Sequence, residues 1–336
     1  MRPKTDNTVD LGTASLMYKD GYFDGLITTH GITIFDDEGT DATIRLDGNF
    51  PDGSRNIAFG LTALDSLDGS SPGGDNIAIG NAALTALTTA DYNTAIGSSA
   101  GTAITTGANN TALGYNSLGA TTTGAANVAL GYQALGSNTT ASDNIAVGYN
   151  SLFDNTTGTA NTSIGRSALA NNTTANNNTA VGYVALGDNT TGTENTAVGK
   201  SSLTANTTGG YSTAIGSTAL TAQTTGNGNV AVGFASGLAL TTGDANVAVG
   251  TQALNANTTA DNNTAVGYQA GFNNTTGTRL VALGYTAAFN STTATHNTAI
   301  GYQSQRNNTT GGNNTALGDN SLYTSTTGQY NTGLGS

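Results

Sequence analysis

Apolar residues in this chain neither recur at helical spacing nor alternate over the length of an ordinary strand. They return in a short block, seen at Asn178-Thr179-Ala180-Val181-Gly182. A small residue and a leucine follow, Ala185-Leu186, and then a polar run, Asn189-Thr190-Thr191-Gly192. The closing glycine recurs every 17 residues from Gly80 to Gly335 without a slip, and an earlier copy ends at Gly60, 20 residues before Gly80. The chain therefore holds seventeen copies of one unit. A short strict period of this kind predicts a solenoid, in which each coil buries its apolar side only against its neighbours.

Numbering the unit from its asparagine shows what each position requires. Position 1 is Asn in fifteen of seventeen copies, with Ser212 and Leu280 the exceptions. Position 2 is always β-branched, position 4 always apolar and position 5 always Gly. Position 3 is Ala in fifteen copies, and otherwise Ser163 and Gly333. Position 8 is Ala or Ser, and position 9 is Leu in eleven copies. Positions 13 and 14 are Thr-Thr in fifteen copies. Positions 2 to 4 read as a short strand, since β-branched residues favour a pleated surface. The glycine marks a sharp bend or a left-handed backbone. Positions 6 to 9 read as a second strand, and Asn-Thr-Thr-Gly as the turn that closes the coil. Helix is excluded by the weight of Gly, Asn and Thr. The fold class is thus all-β, a parallel β-roll solenoid of seventeen repeats. Coils stacked at about 4.8 Å make a rod of roughly 75 Å.

Position 3 also bears on assembly. In a strand, positions 2 and 4 face one way and position 3 the other. Were one face in water, its residues would vary among charged and polar types. Both faces are restricted, one to β-branched and apolar residues and the other to small ones, so both read as covered. One cover is the coil interior and the other a neighbouring chain; the pattern leaves open which is which.

Residues 1–50 differ and form a separate N-terminal module. They hold no copy of the repeat and the densest charge: residues 1–55 carry ten acids and five bases, half of the charged residues of the chain. Apolar runs at Leu26-Ile27-Thr28-Thr29, Gly31-Ile32-Thr33-Ile34-Phe35 and Ala42-Thr43-Ile44-Arg45-Leu46 read as short strands between Asp/Gly turns. The repeat domain spans 51–336, with a polar insertion near 65–75 expected to be a surface loop. The net charge is −12 and there is no cysteine or tryptophan. Without a basic patch, nucleic acid and anionic membranes are poor partners, and no apolar run is long enough for membrane insertion. Thiol chemistry and thiolate metal sites are excluded. Met1 to Asp6 lacks the apolar core of a secretion signal, and the chain stops at Ser336, just after a repeat core.

The core Asn-[Thr/Val/Ile]-Ala-[Val/Ile/Leu]-Gly, with Ala or Ser three residues on, resembles the head repeats of trimeric bacterial adhesins. The resemblance covers residues 56–336. It implies a left-handed parallel β-roll with three chains around a common axis, and so a homotrimeric rod. The repeats here are longer, the extra residues falling in the Thr-Thr-Gly turn. The segment from Asn7-Thr8-Val9-Asp10-Leu11-Gly12 to Tyr22-Phe23 is similar to segments of phage tail-fibre proteins. An end at Ser336 leaves two readings, a fragment or a chain from which a C-terminal piece has been removed; many such fibres carry a C-terminal folding chaperone that cleaves itself off, so the resemblance allows the second. A virion fibre needs no signal peptide, whereas a secreted adhesin needs a signal and a membrane anchor.

No catalytic constellation is visible, and no cofactor is implied. The two histidines, His30 and His296, are far apart in the chain and read as turn residues. Asp75, Asp91, Asp143, Asp244 and Asp261 sit sporadically near the coil boundary and do not make the calcium-binding nonapeptide. Position 6 is tyrosine in two runs, Tyr115, Tyr132, Tyr149 and Tyr268, Tyr285, Tyr302. Stacked coils would line these up, either as edge residues with their hydroxyls in water or as a sugar-stacking surface for a glycan receptor. The Thr-Thr column is similar to the ranked threonines of ice-binding solenoids, but threonine also suits a turn through its bonds to backbone. Asn-Thr-Thr matches the N-glycosylation pattern many times. The expectation is a non-enzymatic structural and adhesive protein, the shaft or receptor-binding part of a bacteriophage tail fibre, sited on the virion. Its partners would be its own copies, other tail subunits and a host-surface glycan or protein. The alternatives are a bacterial surface adhesin or extracellular filament, and an ice-binding solenoid.

Overall fold

In the computed structural model the described residues are 56–67 and 73–335, together with the backbone of two N-terminal strands. Those strands, β1 (Ile32–Phe35) and β2 (Ala42–Leu46), pair antiparallel with Ile34 opposite Ile44 and a register shift before Phe35. The run expected at 26–29, the rest of the N-terminal module and residues 68–72 of the expected loop lie outside the described residues.

The repeat region is a β-solenoid. Seventeen strands of three residues each, from β3 (Ile57–Phe59) to β19 (Thr332–Leu334), pair parallel in a single file. Register is in phase throughout: Thr179, Ala180 and Val181 lie beside Thr196, Ala197 and Val198. The 20-residue step is absorbed between coils, since Ile57, Ala58 and Phe59 still pair with Ile77, Ala78 and Ile79.

The second strand expected over positions 6 to 9 does not form. In the coil from Asn178 only residues 179–181 are strand, and 183–188 are turn. Val184 and Leu186 are left-handed, at φ +53° and +52°, and the same two positions are left-handed in nearly every coil. A strand puts consecutive side chains on opposite faces. Here Ala185 and Leu186 are both fully buried, and only a change of backbone hand between them lets both point inward. A bulky residue in this conformation costs about 1–2 kcal/mol. Coil-to-coil bonds hold it there: Val184 N–H donates to the Arg166 carbonyl at 3.0 Å, and Leu186 N–H to the Ser202 carbonyl at 2.9 Å. The turn is thus hydrogen-bonded to its neighbours almost as fully as the strand.

The interior has two sides. On one, the position 3 and position 8 alanines and the position 9 leucines form an apolar cluster that runs from coil to coil. Each buried leucine contributes about 1.5–3 kcal/mol. On the other side run two buried amide ladders. At position 1, Asn178 N–H donates to Asn161 Oδ1 at 3.0 Å, and its Nδ2 donates to the Gly192 carbonyl at 2.9 Å. At position 12, Asn189 Nδ2 donates to Asn172 Oδ1 at 2.9 Å and to that same Gly192 carbonyl at 3.0 Å. Both ladders therefore converge on the position 15 carbonyl. A buried amide is costly when unpaired, so each rung depends on the coils either side of it.

Candidate interaction surfaces

The strand settles which face goes where. Ala180 is fully buried inside the coil, and its equivalents are buried in every coil but the last, where Gly333 is half-buried. Positions 2 and 4 point outward. They make two parallel columns along the solenoid, one of Ile, Val and Thr and one of Ile, Val, Leu and Phe. Large aliphatics stand out from it, among them Leu130 at 41%, Ile145 at 40% and Ile215 at 41% exposure. Neither column holds a charged residue in any of the seventeen coils. At roughly 75 Å by about 10 Å for three strand residues, this face approaches 750 Å². The position 4 column, apolar in every coil, takes about half of that, and monomeric proteins seldom expose apolar patches beyond a few hundred Å².

Beyond the bend at position 5 lies the position 6 column. Tyr115, Tyr132 and Tyr149 stack with ring centroids 5.4 and 5.1 Å apart and planes within 17° and 7°. Tyr268, Tyr285 and Tyr302 stack likewise, at 5.3 Å for both steps. The sequence runs thus become ladders. Because each ring lies on the next, the faces are used up within the ladder, and the solvent meets ring edges and hydroxyls. A sugar could stack flat only at a ladder's end. Sequence reasoning also missed that the first ladder continues. The Arg166 guanidinium carbon lies 5.7 Å from the Tyr149 centroid and 5.8 Å from that of Tyr183, and Lys200 occupies the next rung. The signal was present, since all four residues share position 6, but only the stacking shows that a cation can replace a ring. A second, shorter column stands at position 10, where Phe272 stacks on Phe289 at 5.1 Å and Arg306 covers Phe289 at 5.0 Å.

The threonine columns divide. The position 13 hydroxyl donates to the position 13 carbonyl of the next coil, from Thr88 to Thr105 at 3.1 Å through to Thr309 and Thr326 at 3.1 Å. That hydroxyl is committed to backbone, while the position 14 residues such as Thr191 are exposed. The asparagines of the Asn-Thr-Thr runs, including Asn138, Asn155, Asn172, Asn189 and Asn206, are fully buried in the amide ladder. In the folded chain they present no amide to a modifying enzyme.

The boundary acids at position 16 serve the backbone. Asp91 Oδ1 accepts from Gly74 N–H at 2.7 Å, and Asp261 Oδ1 from Asp244 N–H at 2.8 Å. Asn176 and Asn227 do the same in their coils, so the carboxylate is one of several acceptors that fit. Asp143 is exposed at position 17. Among the described residues no three of His, Asp or Glu come together as a metal site. His296 Nε2 lies 3.0 Å from Arg279 Nη1 on the exposed coil boundary, and His30 lies outside the described residues. No family model, curated protein or solved structure matches the chain.

Proposed function

We propose that the chain is a structural and adhesive fibre subunit, a parallel homotrimeric rod forming the shaft or host-binding part of a bacteriophage tail fibre. The observation that carries the trimer is the uncharged face made by positions 2 and 4, apolar along position 4 and mixed Thr, Val and Ile along position 2, which runs the length of the solenoid and is covered by no other described residue. Its occupant is best matched by further copies of the same chain. An identical rod offers the same uncharged columns at the same coil spacing, so every rung meets an equivalent rung. Its approximate area is close to the roughly 800 Å² per partner of a stable interface. Three is the number that the adhesin resemblance implies. The tail-fibre assignment is supported by the likeness of residues 7–23 to tail-fibre segments, and a bacterial surface adhesin of the same fold is the alternative.

The activity of such a rod is reach and multivalent attachment, with no chemistry. Repeated surface positions present the same weak contact many times, and linked contacts raise avidity without any one being tight. Light scattering coupled to size exclusion tests the assembly: the expected mass is about three times the chain's 33.3 kDa. A stable monomer with its solenoid intact overturns it. Immunogold labelling of native particles tests the location, with label on the virion tail expected and label on cell-surface filaments favouring the alternative.

A further inference from the structure

We infer that the ladder Tyr115–Tyr132–Tyr149–Arg166–Tyr183–Lys200 binds an acidic polysaccharide carrying carboxylates, laid along the rod. The inference rests on the adhesive reading above and names its ligand class and its site.

Three observations carry it. The first is charge. Residues 56–336 hold eleven acids and four bases, yet two of those bases, Arg166 and Lys200, stand in this one column. Both are exposed, and no described carboxylate pairs with either. Columns 6 and 7 hold no acid from Tyr115 to Ser201. A local cationic stripe on an acidic rod selects for an anion that can reach it without meeting the acids elsewhere.

The second is organisation. Arg166 is centred between two tyrosine rings, at 5.7 and 5.8 Å, which restrains its long side chain before any ligand arrives. A guanidinium stacked in this way keeps its N–H donors at the rim, where a carboxylate can take two of them. Preordering of this kind lowers the entropic cost of binding. Lys200 lies two coils on, about 9.6 Å away at the sheet spacing, and offers a second charge in line with the first.

The third is the setting. The ladder edge supplies a file of tyrosine hydroxyls, and the adjoining position 7 column supplies Asn116, Gln133, Asn150 and Ser167, all half-buried. These donors and acceptors at a fixed axial repeat fit a linear chain of hydroxyl-bearing rings. The other ladder, Tyr268–Tyr285–Tyr302, provides a control within the molecule. It has the same stacked rings, but Thr251 precedes it and Asp319 follows it in the column.

The test uses the full chain in affinity electrophoresis through gels containing alginate, dextran or heparin. Alginate, a linear polyuronate, should retard the protein, and raising the salt should weaken the retardation. The double variant Arg166→Gln with Lys200→Gln should bind alginate at least tenfold more weakly, with unchanged mass and circular dichroism. Tyr285→Ser, in the control ladder, should bind as the unaltered chain does. Equal binding by the double variant, equal retention by neutral dextran, or binding to sulfated heparin alone each overturns the inference. So does absence of binding to all three, and the separately measured oligomeric mass then shows whether the rod itself still stands.

Discussion

Leu240 lies fully buried where eight other coils place an asparagine, and its N–H donates at 3.1 Å to the carbonyl of Gly237, which stands where most coils place a leucine. The two residues have exchanged bulk across the coil interior. Ile104 with Gly101 repeats the exchange, and beside Gly271 the apolar volume comes from Leu280 of the next coil, which stands in place of the position 1 asparagine with its Cδ2 3.2 Å from where a β-carbon on Gly271 would lie. In each case an apolar side chain beside a gap in the leucine column stands at a position that other coils give to an asparagine. A β-carbon on Gly237 would sit 2.8 Å from Leu220 Cδ2, so the neighbouring leucine already leans into that gap.

This exchange predicts strong coupling. Gly237→Leu alone should overfill the coil, and Leu240→Asn alone should leave a void. Each should cost about 1–3 kcal/mol. The double variant recreates the commoner pattern of Leu203 and Asn206 and should recover most of that loss. Urea unfolding of all four proteins measures the coupling, and additive losses would count against the exchange.

Gly182 should tolerate no side chain. Its φ is +138°, and an added β-carbon would lie 2.5 Å from the Gly199 carbonyl oxygen and 2.7 Å from its carbon, both backbone atoms of the next coil. Gly182→Ala should therefore cost on the order of 3 kcal/mol or more. Thermal melting followed by circular dichroism checks this, and an unchanged midpoint would refute it.

The outward and inward strand positions should give opposite phenotypes. Val181→Lys with Val198→Lys places charge on the apolar face, so the oligomeric mass should fall while the β spectrum persists. Ala180→Gln puts a large polar group into a fully buried position and should damage the coil itself. Light scattering and circular dichroism on the same samples separate the two effects.

The left-handed residue at position 17 predicts a stabilising change. Ala126, Ala160 and Ala245 are exposed with φ of +56°, +55° and +53°, and in the same column Gly228 has open space around it. Glycine avoids the left-handed penalty of about 1–2 kcal/mol but loses about 0.5–1 kcal/mol of chain entropy. Replacing all three alanines with glycine should raise stability by about 2 kcal/mol in total, read as a shift in the urea midpoint.

The period and the uniform types at each position made the solenoid legible without coordinates. A unit that cannot bury its own core must stack, and strict phase leaves one way to do so. The strand at positions 2 to 4 and the bend at Gly182 were equally local, since β-branching and an obligatory glycine act through the backbone of their own residue. The turn at Val184 to Leu186 was not. Leucine does not favour a left-handed conformation on its own account; bonds to the coils above and below impose it. The same holds for Asn189, whose Asn-Thr-Thr-Gly context suggested only the turn that closes the coil and whose amide is held in the interior by Asn172 and Gly192. Tertiary structure alone decided that Ala180 faces inward and Val181 outward, because alternation defines two faces without saying which encloses the core. It alone placed Arg166 between Tyr149 and Tyr183, since residues 17 apart become neighbours only when the coil closes.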